Sequence, residues 1–152
     1  MSLQDTYAPN STCFGCGPKN KKGLRIKSFP RGEEVVAEFK PETHHASFGG
    51  FLSGGITSTL LDCHGNWTAA YSLMKEGVLS TPPGTVTSQI SITFLRPTPI
   101  NRPLLVRARP IEVLENKVKV EGSIESGELV TATMIGLFVA VKEGHPAFHR
   151  WQ

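Results

Sequence analysis

The chain has 152 residues, 39% apolar and 19% charged, which excludes a disordered or fibrous polymer and fits one globular domain burying roughly two thirds of its unfolded surface. Its net charge of +3 is scattered apart from one short cluster (Lys19, Lys21, Lys22, Arg25, Lys27), which argues against nucleic acid as a partner. No apolar run approaches the roughly 20 residues that span a bilayer, no leader pattern is present, and three cysteines (Cys13, Cys16, Cys63) make no disulfide framework, so a cytoplasmic protein is expected.

Residues 1–12 carry turn formers and little apolar content and read as an extended arm. Residues 24–29 and 35–39 are short β-type runs separated by Pro30, Arg31 and Gly32, a hairpin signal. Residues 54–74 follow a helical period. From Thr85 onward Val86, Ile90, Ile92 and Phe94 give one apolar strand face, ended by Arg96 and Pro97. Residues 104–113 form a further strand in which Pro110 marks an edge or a bulge, and residues 118–124 alternate against lysines and Glu121. Residues 129–141 are apolar on both faces, as in a strand covered on two sides, and 142–152 form a polar tail ending in Phe148 and Trp151. Two strands, one long helix and four strands make an α+β fold in a single domain, 1–152, with an antiparallel sheet of about six strands curled around the helix and one sheet face free for a second subunit.

Between His44 and Met74 the only Asp, Glu, Lys or Arg is Asp62, so the helix is expected to be buried nearly all round. At 100° per residue Ile56, Leu60, Cys63, Trp67, Ala70, Tyr71 and Met74 share a core stripe, with Asp62 opposite, beside Ser58, Asn66 and Ala69. A carboxylate in such surroundings is costly unless hydrogen-bonded or paired, which points either to proton-transfer chemistry or to a cap or a distant Arg partner. Gly54 and Gly55 at the helix start offer backbone N–H groups and the positive end of the dipole to an oxyanion, unless their role is close packing on a strand. They precede Asp62 by about 12 Å along a regular helix, and a substrate lying along the helix would meet both.

The segment GGFLSGGITSTLLDCHGNW, followed by TSQISITFLRP and preceded by CFGCGPKNKKGLRI, resembles the phenylacetate-type (PaaI-like) branch of the hotdog thioesterase superfamily over nearly the whole chain. The resemblance implies a hotdog fold and an acyl-CoA or acyl-carrier-protein thioesterase working as a homodimer or homotetramer, each site lying at a subunit interface. It gives Asp62 as the catalytic acid, Gly54 as the donor to the thioester carbonyl, and Thr87 as a polar residue contributed by the partner subunit. Ser47 stands where many members have Asn, and Ser53 stands where the family's usual His precedes the two glycines. Ser53 is expected either to donate a hydrogen bond to substrate or to cap the helix. Asp62 acts either as general base on water or as nucleophile.

Beyond these, His45 in the loop before the glycines and Asn66 on the Asp62 face are expected to line the substrate site, and Arg96 to meet the phosphates of coenzyme A. His64 is expected as a satisfied core or interface residue. Cys13 and Cys16 form a C-x-x-C pair without a second Cys or His pair at zinc-finger spacing, so turn packing is expected and no metal; the reaction needs no cofactor. Two other readings stay open: a hotdog protein that binds acyl thioesters without turnover, and a hotdog dehydratase using His45 with Asp62.

Overall fold

The computed structural model describes all of residues 1–152. Strands β1 (Phe29–Arg31), β2 (Glu34–Phe39), β5 (Thr85–Phe94), β6 (Leu104–Val113), β7 (Lys117–Ser126) and β8 (Leu129–Ala140) form one antiparallel sheet in the order β1-β2-β6-β7-β8-β5. The single long helix α2 (Gly54–Glu76) packs mainly on β6, β7 and β8, and a short helix α1 (Leu3–Tyr7) and a two-stranded ribbon, β3 (Ala46–Phe48) and β4 (Phe51–Leu52), complete the chain. This is the α+β hotdog arrangement, a six-stranded sheet wrapped on one helix. No helix is long and apolar enough to cross a membrane.

The helix approaches the sheet at Gly65, where an added Cβ would lie 2.7 Å from Phe138 Cζ and 2.8 Å from Met134 Cε. The sheet-facing side of α2 therefore runs through Leu61 and Gly65, not along the expected stripe. Leu60, Trp67, Ala70 and Met74 of that stripe are buried, but Ile56, Cys63 and Tyr71 are only partly so. What covers this second side is the chain's own ends. Trp67 donates from Nε1 to Cys16 Sγ at 3.3 Å and stacks on Trp151 at 4.2 Å between ring centroids.

Both termini differ from expectation for that reason. Residues 1–12 are not a loose arm, because α1 buries Leu3 and Gln4, and Gln4 closes a chain of hydrogen bonds into the core. Its Nε2 donates to Ser28 Oγ at 2.9 Å, Ser28 Oγ pairs with His64 Nδ1 at 2.8 Å, and His64 Nε2 meets the Val35 carbonyl at 2.8 Å. A carbonyl only accepts, so Nε2 carries the proton and Nδ1 accepts from Ser28. Burial holds His64 at about 4, below its ordinary value, against the opposing Val35 hydrogen bond. The tail likewise folds back: Trp151 Nε1 donates to the Pro83 carbonyl at 2.8 Å and Arg150 Nη1 to the Thr85 carbonyl at 2.6 Å.

Residues 24–28 are not a strand either. Leu24 and Ile26 donate their N–H groups to the carbonyls of Phe14 and Gly15, and Ile26 is buried, so their apolar alternation serves packing on the C-x-x-C turn. The bulge expected at Pro110 is present as a register shift between Pro110 and Glu112. In β8 the expected second cover is absent within the chain: Ala132, Met134 and Phe138 are buried, whereas Ile135 on the other face is 41% exposed. One helix can cover only one face of a sheet.

The two sheet edges are unlike. β1 has three residues including Pro30, which blunts further pairing, while β5 is ten residues long and leaves Ile90 and Phe94 exposed.

Candidate active site

Asp62 lies on the side of α2 that faces β5. Thr87 Oγ1 donates to Asp62 Oδ1 at 2.5 Å, and one turn further on Thr85 Oγ1 donates to Asn66 Oδ1 at 2.5 Å. The spacing is a match of periods: four helical residues advance about 6 Å and two strand residues about 6.6 Å, so i,i+4 on the helix meets j,j−2 on an antiparallel strand. A register shift between Thr87 and Gln89 bends β5 away immediately afterwards. Thr87 thus comes from the same chain as Asp62, not from a partner as the resemblance implied. Asn66 is buried and occupied by Thr85, which makes it a positioning residue of this ladder and removes it from the substrate-contacting set.

The start of α2 is open. Ser53 caps it, its Oγ accepting from the Gly55 N–H at 3.2 Å. Gly55 is therefore withdrawn from oxyanion binding, whereas Gly54, the first helical residue, presents its N–H with no acceptor on the chain. Close packing does not explain either glycine: a Cβ on Gly54 would meet Phe94 only at 3.5 Å and one on Gly55 would meet Ser53 Oγ at 3.6 Å, both ordinary contacts. The room stands free for a group from outside.

That room belongs to a cleft of about 400 Å³ lined by Ser47, Phe51, Gly54, Thr57, Phe94 and Arg96, among others. Three residues singled out in the sequence, Ser47, Gly54 and Arg96, are brought together here. Ser47 is exposed, its Oγ 3.5 Å from the Phe51 carbonyl, and Arg96 forms no ion pair. Neither Asp62 nor Thr87 lines this cleft. The helix is regular from Gly54 to Glu76, so eight residues keep Gly54 and Asp62 about 12 Å apart along the axis. This is the separation expected of a regular helix, with the cleft at its start and the carboxylate two turns further on.

His45 does not line the Gly54 cleft but a separate hollow with Lys21, Lys22, Lys40 and His44. It is buried in the single 3₁₀ turn Thr43–His45, accepts from the Glu42 N–H at Nδ1 (3.0 Å), and its carbonyl takes the Ser53 N–H at 2.9 Å, bracing the entry to α2. Burial and the adjacent His44 hold it below the ordinary imidazole range, and its Nδ1 is taken by the Glu42 N–H, so this ring nitrogen serves the turn.

One cluster escaped the sequence altogether. Cys63 on α2 joins Cys13 and Cys16, with all three sulfur atoms within 4.8 Å of one another. The Cys16 and Cys63 thiols, then backbone N–H groups, hold the Cys13 thiol below its ordinary range, and Cys16 is pushed up to about 12. Spacing could not reveal a partner fifty residues away.

Residues 49–133 match the model of the thioesterase superfamily. A thioesterase superfamily protein from Shewanella loihica PV-4 is 30% identical, the alignment covering 91% of this chain and 99% of that one, with a TM-score of 0.71. The PaaI protein from the phenylacetic acid degradation operon of E. coli shares 16% identity over 78% of this chain and 81% of that one, TM-score 0.64. A protein of Streptococcus mutans UA159 bound to acetyl CoA shares 18% over 76% and 88%, TM-score 0.64. No curated protein matches the sequence.

Proposed function

Since the chain belongs to the thioesterase superfamily, we propose that it hydrolyses an acyl-CoA or acyl-carrier-protein thioester with Asp62 as general base, in a site shared between two copies of the chain. The observation that carries this reading is the pairing of a lone helix carboxylate, fixed by Thr87, with a helix start whose Gly54 N–H is free and sterically open. A water held by Asp62 loses a proton to the carboxylate as its oxygen attacks the carbonyl carbon. The oxyanion is held by the Gly54 N–H of the other copy. The C–S bond then breaks, and the proton on Asp62 goes to the leaving thiolate. Arg96 stands beside the Gly54 cleft for the phosphates of coenzyme A, and Ser47 for the thioester itself.

The separation of Asp62 from the Gly54 cleft supports a shared site, as does the long unguarded edge of β5, which leaves Ile90 and Phe94 exposed. Edge-to-edge pairing of β5 with a second copy is self-complementary, as a two-fold interface requires, and leads to the homodimer or homotetramer expected of the sequence. The acetyl CoA carried by the Streptococcus mutans structure, which shares the fold, favours a coenzyme A thioester. Asp62 as a nucleophile forming an anhydride is the variant of the same chemistry.

Thiol release from short, long and aromatic acyl-CoAs tests the reading. The native protein is expected to turn over at least one, and a folded Asp62→Asn to lose about 100-fold or more. Equal rates for the two proteins remove Asp62 from the chemistry. Acyl-CoA binding without turnover gives the silent module instead, a reading favoured by one observation, that Ser53 replaces the family's His and occupies the Gly55 N–H.

A further inference from the structure

We infer that Cys13, Cys16 and Cys63 form a binding site for one thiophilic d¹⁰ cation, Zn²⁺ or Cu⁺, which ties the turn before β1 to the central helix. The sulfur geometry carries the inference. Cys13 Sγ and Cys63 Sγ are 3.9 Å apart and the third sulfur lies within 4.8 Å of both. Thiolates on a common ion at about 2.3 Å stand about 3.8 Å apart in a tetrahedral set and about 4.0 Å in a trigonal one. A disulfide would need about 2.05 Å and would use only two of the three.

The surroundings are shaped for this convergence. Gly15 lies against α2 where any Cβ would run into the Cys63 sulfur and sit 2.8 Å from Thr59 Cγ2, so only glycine lets the C-x-x-C turn close on the helix. Gly17 is held as tightly from the other side, its Cβ position 2.6 Å from the Ser11 carbonyl oxygen. Behind the cluster, the indole N–H of Trp67, a side chain only 1% exposed, is aimed at Cys16 Sγ. A buried indole N–H takes a strong acceptor when one is on offer, and a metal-bound thiolate is a far better acceptor than a thiol. Within the sulfur cluster Cys13 is half-buried and the other two are buried, so water or a small thiol reaching the cluster beside Cys13 would complete a tetrahedral Zn²⁺ set; Cu⁺ is satisfied by the three sulfurs alone. Binding releases the thiol protons to solvent and requires no oxidant.

The test uses the full chain, purified reduced and free of metal. Titration with Co²⁺ is expected to give a sulfur-to-cobalt charge-transfer band saturating at one ion per chain and abolished by Zn²⁺, and Zn²⁺ is expected to raise the melting temperature. Cys63→Ser and Cys13→Ser, each checked for native circular dichroism, are expected to weaken binding at least 100-fold and to lose the thermal shift. Competition against a Cu⁺ chelator separates the two cations: binding of Cu⁺ without Zn²⁺ or Co²⁺ assigns the three-coordinate form. Failure of the reduced protein to take up any of the three ions, or uptake unchanged in both serine variants, overturns the inference. Because uptake and melting are read without any substrate, their failure is separable from failure of the thioesterase reading.

Discussion

Gly54 and Gly65 stand on the same helix, about three turns apart, in opposite surroundings. At Gly65 the sheet comes so close that a Cβ would press on Phe138 and Met134; at Gly54 the nearest atom to a Cβ is an exposed Phe94 ring carbon at an ordinary 3.5 Å. Gly65 is demanded by packing within the chain, and Gly54 is not. The comparison divides the helix into a closed half, roofed by Gln4, Cys16 and Trp151, and an open start facing a cleft. A residue type that reads identically in the sequence therefore has two origins, and only the space around it separates them.

Gly54→Pro is expected to change activity more than any other single glycine substitution in the helix. Proline suits the first helical position, and Ser53 before it already has φ −59° and ψ 135°, which proline requires of its predecessor. The change removes the N–H and sets a pyrrolidine ring in the open cleft, so stability is expected to hold in thermal melts while thiol release falls about 100-fold or more. The closed half is tested by acid. His64 stands at about 4 in the fold against 6.5 in the unfolded chain, so the unfolded state binds the proton first as pH falls. Its contribution is whole above pH 6.5 and is lost on going down to about 4, to the extent of about 3 kcal/mol. Urea unfolding at pH 7 and pH 4.5 measures it, and His64→Gln is expected to flatten the difference. Gly65→Ala is expected to cost about 2 kcal/mol, overpacking outweighing the gain in helix propensity, seen as a lower urea midpoint. The smallest effect is Thr87→Val, which keeps shape but leaves Asp62 without its donor, and is expected to lower thiol release about tenfold with little change in melting.

The helix was legible because residues 54–74 keep a helical period with one charge among them, and the strands after it because their apolar residues alternate or run unbroken. The ends were not, since α1 and residues 24–28 are stabilised by contacts far away in sequence, Gln4 with Ser28 and Ile26 with Gly15, that no local pattern encodes. At the site, the residues around Gly54 could be named in advance, but the withdrawal of Gly55 by Ser53, and of Asn66 by Thr85, depends on which hydroxyl reaches which partner first. The position of Thr87 depends on a one-residue bulge, which periodicity smooths over.

The shared site is tested most directly by mixing. Asp62→Asn and Gly54→Pro chains, each inactive alone, are unfolded together and reassembled in equal amounts. If one copy supplies the carboxylate and the other the N–H, half of the dimers are mixed and each regains one intact site, so thiol release should return to about a quarter of the native rate. Mixtures that reassemble into mixed dimers and stay as inactive as their parents would place both groups in a site within one chain and contradict the account.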